Sequence, residues 1–486
     1  DKYFGTTLYT GNGGARYINT GLKPDFVWIK SRSTTYEHLL FDTVRGSTKY
    51  IKTNSVALQQ TNASTLSSFN INGFTLGGDN EVNKSSETYV AWTWRAGGNK
   101  NTFNVDDVGY ASASDFSIAI GDIGDGSGVN QSQLWSGLFT LASGYFDQAI
   151  SNAFNGVISS STRARTSGDA VLITMTLSTP VTVSSQVKVF SEPGYNSTCT
   201  VTVDGTTSTS SSGSTHTFNV SGSLTQMTLV SNDSGGRTYM EGMEIDSKLL
   251  VDSNVSLSLS TIAPTGASVG TKQGFSIIRY TGPGTNGTLP HGLNSEPRFI
   301  MVKRLEINAS WALYHVGLGN TKVIELNNSG SPNTSSSVWN STTPTSSVWS
   351  IGNYADTGDS GGDYLAYLWC DVPGLQKFGT YVGNASTDGV FVELGFRPRW
   401  IMQKNISGQE WFIHDTARDP INVAGFRFTA DLDVAENTTN NTWFDILSNG
   451  FKFRNTNEAG NSGTFIYMAW AESPVSNLYG GQSNAR

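Results

Sequence analysis

Short runs of alternating apolar and polar residues make up most of this chain, and clusters of turn residues separate them. Residues 170–192, 199–207 and 224–233 are examples. Because the side chains of a β-strand point alternately to its two faces, a period of two predicts strands of antiparallel sheets. A helical apolar stripe occurs only at residues 134–154, where Gly144 interrupts it. The chain is therefore predicted to be all-β.

A unit of about 95 residues occurs three times along the chain. Each copy opens with Tyr-x-Gly, continues with a Pro before an apolar run that ends in Lys, and closes with an apolar run that ends in Trp. The matched residues are Pro24, Pro297 and Pro398, then Lys30, Lys303 and Lys404, and finally Trp94, Trp369 and Trp470. The closing runs are apolar on both faces, as in a central strand that is covered on each side. Each copy is predicted to be a small β-sandwich with its own core.

A segment between the first and second copies matches neither of them, and its period-two runs predict an inserted β-sandwich of jelly-roll type. The predicted domains are repeat 1 at 1–98, a linker at 99–127, the inserted sandwich at 128–252, a linker at 253–273, repeat 2 at 274–373, and repeat 3 with the C-terminal tail at 374–486.

Two resemblances follow from these segments. The insert resembles galactose-binding-like (discoidin-like) jelly rolls at residues 144–157 and 239–252. The rest resembles the C-terminal repeats of tail fibre and receptor-binding proteins of tailed phages, especially those that infect marine cyanobacteria. The motifs that carry this resemblance are residues 21–30, 39–50, 73–98 and 465–474. The resemblance implies an extracellular virion protein, a homotrimer with other tail proteins as partners, that touches the host surface.

Composition removes several classes of function. The net charge is −8, which gives no electrostatic basis for binding nucleic acid. No run of 18 apolar residues exists, so no membrane insertion is expected. The chain begins at Asp1 without a Met, as a processed product or the later part of a longer polypeptide would. Two free, buried thiols are the simplest interpretation of Cys199 and Cys370.

The string GDSGG around Ser360 matches the surroundings of the nucleophile in trypsin-like proteases. It lies at the connection into the closing strand, where the other two copies have no matching Ser. His291 and His315 also lack the sequence context of a catalytic His. Ser360 is therefore predicted to lie in a turn.

Candidate ligand-binding residues lie in loop-like stretches near the ends of the inserted sandwich, where discoidin-like modules bind ligands. An adhesin needs aromatic faces for sugar rings, together with Arg, amide and hydroxyl groups for the sugar hydroxyls. These residues are Trp135, Arg163, Arg165, Arg237 and Tyr239. The alternative is that Trp135 and Tyr239 are buried and the arginines are merely solvated.

Other chemistry-bearing residues favour structural roles. The repeat-matched tryptophans, together with Trp28, Trp311, Trp400 and Trp411, are predicted to be core residues. His38, His315 and His414 occupy unmatched positions, which favours structural histidines over a shared metal or base. Asp106 with Asp107, residues 122–128 and residues 356–363 could hold calcium, but none has calcium-loop spacing. No metal and no cofactor are predicted.

The expected function is therefore a non-enzymatic phage appendage protein that attaches to a host cell-surface polysaccharide or lipopolysaccharide. A polysaccharide depolymerase is the first alternative. It would need two carboxylates in one cleft, and no local motif indicates such a pair. The second alternative is a purely architectural virion protein.

Overall fold

The computed structural model describes residues 3–120, 128–156, 158–161, 163–246, 248–255, 260–293, 295–439 and 442–471. It is nearly all β, which confirms the fold class predicted from the alternating pattern. The chain forms two compact units, one of Asp1–Phe116 with Ser260–Arg486 and one of Ser117–Leu259. They are called the repeat unit and the insert unit below. In the described ranges, no helix is long and apolar enough to cross a membrane.

The first part of the repeat unit holds repeat 1 and the strands that follow it. Repeat 1 consists of β1 (Phe4–Thr10), β2 (Arg16–Asn19), β3 (Phe26–Ser31), β4 (Leu39–Asp42), β5 (Lys49–Lys52), β6 (Gln60–Thr61), β7 (Leu66–Asn70), β8 (Gly73–Leu76), α1 (Asn80–Asn83) and β9 (Thr88–Trp94). After it come β10 (Phe103–Val105), β11 (Val108–Tyr110) and α2 (Ala113–Ile120).

The insert unit follows in the chain. Its strands are β12 (Gly128–Asn130), β13 (Phe139–Leu141), β14 (Phe146–Gln148), β15 (Ala164–Asp169), β16 (Ile173–Val183), β17 (Val187–Phe190), β18 (Ser197–Val203), β19 (Thr206–Ser212), β20 (Thr215–Phe218), β21 (Gly222–Ser231), β22 (Arg237–Met240), β23 (Gly242–Ile245) and β24 (Lys248–Leu250). Two short 3-10 helices lie at Trp135–Leu138 and Ile150–Phe154.

The chain then returns to the repeat unit through β25 (Pro264–Gly270). Repeat 2 consists of β26 (Phe275–Thr281), β27 (Gly287–Pro290), β28 (Phe299–Arg304), β29 (Trp311–His315), β30 (Lys322–Val323), β31 (Asn333–Thr334), β32 (Val348–Ile351) and β33 (Asp363–Trp369). Repeat 3 consists of β34 (Gln376–Asn384), β35 (Phe391–Glu393), β36 (Pro398–Asn405), β37 (Phe412–Asp415), β38 (Phe428–Thr429), β39 (Phe444–Leu447), β40 (Gly450–Phe453) and β41 (Ser462–Ala471).

The three repeats share one topology. In their main sheets the strand orders are β1-β9-β3-β4, β26-β33-β28-β29 and β34-β41-β36-β37. The closing strands β9, β33 and β41 thus lie between the first strand and the strand that ends near the matched Lys. A smaller sheet accompanies each main sheet, in the orders β2-β8-β7, β27-β32 and β35-β40-β39.

The two faces of each main sheet serve different cores, which explains why its strands are apolar on both sides. In β3, Val27 and Ile29 belong to a core within repeat 1. The alternate residues Phe26 and Trp28 belong to a core that all three repeats build together, called the shared core below. The prediction that each copy has its own core therefore describes only one face of each sheet.

The closing tryptophans meet at the centre of the shared core. The ring centroids of Trp94 and Trp369 are 6.5 Å apart, those of Trp369 and Trp470 are 5.9 Å apart, and those of Trp94 and Trp470 are 5.4 Å apart. All three contacts are edge-to-face, the geometry that the aromatic quadrupole favours. The repeats therefore surround a pseudo-threefold axis on which each supplies one tryptophan.

Polar side chains also link each repeat to the next around this axis. The Tyr367 hydroxyl of repeat 2 donates to Asp42 of repeat 1 at 2.8 Å, and the Trp92 indole of repeat 1 donates to Asp415 of repeat 3 at 3.0 Å. At the matched position, repeat 2 has His315. Its Nδ1 accepts from the Gly317 N–H, so its Nε2 donates to the Tyr467 carbonyl of repeat 3 at 3.2 Å.

The matched lysines also link neighbouring repeats. Lys30 donates to the Asp433 carbonyl of repeat 3 at 3.1 Å, Lys303 to the Val56 carbonyl of repeat 1 at 2.9 Å, and Lys404 to the Asn328 carbonyl of repeat 2 at 3.5 Å. Burial lowers the pKa of Lys30 to about 7 and those of Lys303 and Lys404 to about 8. Each lysine therefore donates hydrogen bonds to backbone carbonyls that would otherwise be buried without a partner where two repeats pack together.

Each unit contains a parallel strand pair whose two strands lie, along the chain, close to the points where the chain passes from one unit to the other. In the repeat unit, β10 pairs in parallel with β25, which itself pairs with β26 and extends the main sheet of repeat 2. In the insert unit, β12 pairs in parallel with β24. Neighbouring strands of a sheet lie about 4.8 Å apart, so each unit has its two junction strands side by side.

The insert unit shows the period-two pattern clearly. Two five-stranded sheets and one three-stranded sheet enclose its core. Met175, Met227 and Val201 occupy one cross-strand row and are buried in that core. The next row on the opposite face consists of hydroxyl residues, Thr140, Thr174, Thr228, Thr200 and Thr209. The apolar residues of the alternating pattern therefore face the core, and the polar residues face the solvent side of the sheet.

Replacing Trp369 by Ala tests whether the shared core stabilises the repeat unit as a whole. We expect a loss of about 3–5 kcal/mol in the free energy of unfolding of that unit, because a large aromatic side chain leaves a cavity that three repeats line. Hydrogen exchange followed by mass spectrometry in increasing urea reads out each unit separately. Trp135→Ala is the matched control, since Trp135 is equally buried in the insert unit. Loss of protection in repeat 2 alone would contradict a shared core.

The buried lysines predict a pH dependence of stability. Burial lowers the pKa of Lys303 in the folded chain to about 8, whereas the pKa of an unfolded Lys is about 10.4. Between these values the unfolded state binds more protons, so the free energy of unfolding rises with pH. We expect Lys303→Met to reduce the rise measured by urea unfolding between about pH 8 and pH 10. Lys100→Met, at an exposed position, should keep the full rise. An equal rise in Lys303→Met and the parent chain would contradict this assignment.

Candidate functional site

The three-stranded sheet β14-β15-β22 of the insert unit brings four of the five predicted residues together. Arg165 of β15 lies directly opposite Tyr239 of β22, and Arg237 lies two residues before Tyr239 on the same strand. Arg163 immediately precedes β15. Because residues two apart on a strand share a face, pairing of these two strands gathers the four side chains on one surface, called the Arg/Tyr patch below.

Tyr239 is at the centre of the patch. The guanidinium of Arg163 lies 4.5 Å from the centre of its ring, within cation–π range. On another side, the ring of Tyr195 packs against it with the centroids 5.1 Å apart. Tyr195 follows the turn that leaves β17 and is 41% exposed. A half-exposed pair of tyrosine rings is thus held in place by an arginine.

Asp147 joins the other two arginines. Its Oδ1 accepts from Nε of Arg165 at 2.8 Å, and its Oδ2 accepts from Nη1 of Arg237. The hydrogen bond from Arg165, with the charge of both arginines, holds the pKa of the Asp147 carboxyl below its usual range. Two guanidinium groups share one carboxylate here, so this side of the patch keeps a surplus of donors and one net positive charge.

A second acidic group lies on the other side of Arg163. Glu192 accepts from Nη1 of Arg163. Glu241 is also close, and burial together with Glu192 raises the pKa of its carboxyl, while Arg163 lowers it. The three arginines and Tyr239 of the patch therefore lie beside three carboxylates and the ring of Tyr195.

Trp135 does not belong to the patch. It is fully buried in the core of the insert unit, and its indole N–H donates to the Asn130 carbonyl at 2.8 Å. A buried ring has no face to offer to a ligand, so the structural alternative holds for this residue. Its place in the short helix Trp135–Leu138 points the indole inward.

Sequence reasoning missed Tyr195, Asp147, Glu192 and Glu241. The Pro193-Gly194 turn signal directly before Tyr195 could have identified an exposed aromatic at a loop tip. Nothing local distinguishes the three carboxylates from other acidic residues. They come together only through pairing of distant strands and through the loop after β17.

Tyr145 adds a third tyrosine beside the patch. It is 68% exposed, and its backbone carbonyl accepts from the N–H of Ser167, a residue of β15. Within the described part of the insert unit, Tyr145 and Tyr195 are the exposed large aromatic side chains. Of these two rings, Tyr195 packs directly against Tyr239 of the patch.

The other candidates of the sequence have structural places. Ser360 lies in a turn, as predicted, in which the Gly362 N–H donates to the Asp359 carbonyl. His38 and His414 are buried, with His38 Nδ1 accepting from the Trp28 indole and His414 Nδ1 donating to the Phe426 carbonyl. Cys199 and Cys370 are free and buried.

Several carboxylates in the acidic stretches considered for calcium already have partners within the protein. Asp107 pairs with Lys23 and Arg95, and the Asp106 carboxylate accepts from the backbone and hydroxyl of Thr271. In residues 356–363, Asp359 pairs with Arg304 and Asp363 with Arg279. Residues 122–127 lie outside the described residues. The described residues contain no cluster of three or more His, Cys, Asp or Glu that could hold a metal.

A family model described as Domain of unknown function (DUF7483) matches residues 1–127 and 252–474 of the chain. The matched stretches thus cover the repeats and stop on either side of residues 128–251. No curated protein matches the chain.

Solved structures give only distant matches. A truncated AlyQ with CBM32 and alginate lyase domains is 9% identical, with 47% of this chain and 95% of that chain covered and a TM-score of 0.18. The arabinofuranosyltransferase AftD from Mycobacteria is 9% identical, with 68% and 34% covered and a TM-score of 0.18. Vicilin from Corylus avellana (hazelnut) is 8% identical, with 43% and 74% covered and a TM-score of 0.11. At such scores these matches carry no argument about fold or function.

Proposed function

The chain belongs to the family described as Domain of unknown function (DUF7483), and we propose that it is a non-enzymatic attachment protein whose insert unit binds a cell-surface carbohydrate. The observation that carries this proposal is the Arg/Tyr patch, together with the half-exposed Tyr195 ring that packs against its Tyr239. The insert unit thus supplies the binding surface, and the repeat unit supplies the rest of the proposed appendage subunit.

The chemistry of the patch fits a sugar. The apolar face of a sugar ring packs on an aromatic ring, while its hydroxyls need donors and acceptors in fixed positions. Tyr195 and Tyr239 supply the rings, Arg165 and Arg237 supply planar sets of donors, and Asp147 supplies acceptors. Apart from Tyr195, which lies in the turn after β17, these groups stand on paired strands, which limits the entropy lost when a ligand binds.

The setting of this activity rests on the sequence resemblance. We place the chain in an extracellular appendage of a phage virion, as a homotrimeric tail fibre or receptor-binding subunit that meets a host polysaccharide or lipopolysaccharide. A shallow patch of this kind gives weak binding at each site. Several copies in one appendage would raise the avidity without any new contact.

The test follows both retention and polymer length. Purified chain is added to cells and to isolated surface polysaccharide of candidate hosts, and the bound fraction and the length of the polymer are measured together. We expect retention with the polymer unchanged. Shortening of the polymer would contradict the proposal in favour of a depolymerase, and retention on no host material would contradict it in favour of an architectural protein.

A matched pair of variants assigns the binding to the patch. Tyr195→Ala should weaken retention about tenfold or more, which corresponds to about 1.4 kcal/mol, the range of a central aromatic contact. Tyr17→Ala is the control, because Tyr17 is a similarly exposed tyrosine (49%) of the repeat unit. Equal loss in both variants would contradict the assignment.

A further inference from the structure

Three polar atoms without partners lie together beside Tyr239. They are Oε1 of Glu241, Oε2 of Glu192 and Nε of Arg163, each buried and without a hydrogen bond to any described residue. Glu241 as a whole is only 6% exposed. Buried polar atoms in folded proteins are almost always hydrogen-bonded, since an unmet one costs about 1–3 kcal/mol. These neighbouring side chains therefore offer two acceptors and one donor to which a ligand could form hydrogen bonds.

The charges at this place favour a partner that is not an anion. One guanidinium, that of Arg163, stands among the two carboxylates of Glu192 and Glu241. The raised pKa of the Glu241 carboxyl reflects this burial and crowding of negative charge. Any further carboxylate brought here would meet two like charges and would lose its own hydration.

The face of Tyr239 on this side is already covered by Arg163, at 4.5 Å from the ring centre. A cationic ligand would have to displace that guanidinium to gain the same aromatic contact. A hydroxyl group brings no charge, and it can both donate to a carboxylate oxygen and accept from a guanidinium N–H. Two neighbouring hydroxyls can donate to the two free carboxylate oxygens while one of them accepts from Arg163.

We propose that Glu192, Glu241 and Arg163 bind a pair of neighbouring hydroxyl groups on a neutral sugar ring, so that this end of the patch, with two carboxylates to one guanidinium, selects neutral sugars over uronic acids. This inference rests on the proposed function and adds the class of sugar, which that function leaves open. The side chains of Arg163 and Glu192 keep part of their surface exposed, so the three atoms lie just below the rim of the patch.

The test uses the full chain and matched pairs of sugars. Glucose, galactose and mannose, and the corresponding uronic acids, are coupled to a matrix, and the retention of the chain is measured on each. In every pair the ring hydroxyls are the same, and a carboxylate replaces the C6 hydroxymethyl group. We expect at least one neutral sugar to retain the chain about tenfold more strongly than its uronic acid. Equal or stronger retention on the uronic acids would overturn the inference.

Two variants locate this selectivity. Glu241→Gln keeps the shape of the side chain but replaces an acceptor by a donor, and should weaken retention on the neutral sugar about tenfold or more. Glu244→Gln is the control, since Glu244 pairs with Lys188 on neighbouring strands of the insert unit. If Glu241→Gln does not fold, as judged by hydrogen exchange, the selectivity of the parent chain decides alone.

The failures of the two proposals are distinguishable. Retention on uronic acids that Tyr195→Ala abolishes would leave the proposed function standing and overturn the neutral-sugar inference. Retention on no sugar of either class, and on no host polysaccharide, would overturn both.

Discussion

The packing of one apolar sheet face from each of three repeats against the other two is the constraint on which the repeat unit depends. A main sheet of a repeat has two apolar faces, and the small sheet of that repeat can cover only one of them. The second face is removed from water only when three repeats meet around Trp94, Trp369 and Trp470. A single repeat would expose a broad aromatic surface, so the three are one cooperative unit.

Polar groups specify how the repeats meet. The matched lysines donate hydrogen bonds to carbonyls of the neighbouring repeat. The last residue of β4, β29 and β37 also contacts a neighbouring repeat, but its identity differs between the repeats. Asp42 and Asp415 pair with Arg45 and Arg418, whereas repeat 2 has His315 at that position. These differences make the three interfaces chemically distinct, and buried polar contacts of this kind are costly to mismatch. The three repeats of a single chain thus form a pseudo-threefold arrangement without a second chain. The homotrimer implied by the resemblance is a separate prediction.

The sequence was sufficient for the fold class because the period-two alternation and the repeated Trp, Pro and Lys positions are local signals. It could not show that Phe26 and Val27 serve different cores, since both are simply apolar. Arg163, Arg165, Arg237 and Tyr239 were predictable as a group because they fall on strands or at strand ends of one sandwich. Whether a ring in a loop faces inward, as Trp135 does, depends on packing that has no sequence pattern.

The carboxylates of the patch illustrate a further limit. Asp147, Glu192 and Glu241 come from separate parts of the insert, and only long-range pairing brings them to the arginines. The unpartnered oxygen of Glu241, on which the neutral-sugar inference depends, is a property of the assembled site. The charge balance of a site therefore requires the structure, even where its cationic half can be predicted.

We propose that the insert unit recognises the carbohydrate and that the repeat unit is not needed for this binding. The most direct measurement compares, on the same host polysaccharide, the insert unit alone (residues 117–259) with a chain in which a short Gly-Ser linker replaces residues 121–259. The side-by-side junction strands of each unit make both proteins feasible. The account predicts retention of the insert unit and none of the chain that lacks it. Retention of the repeat unit without its insert, and none of the insert alone, would contradict it.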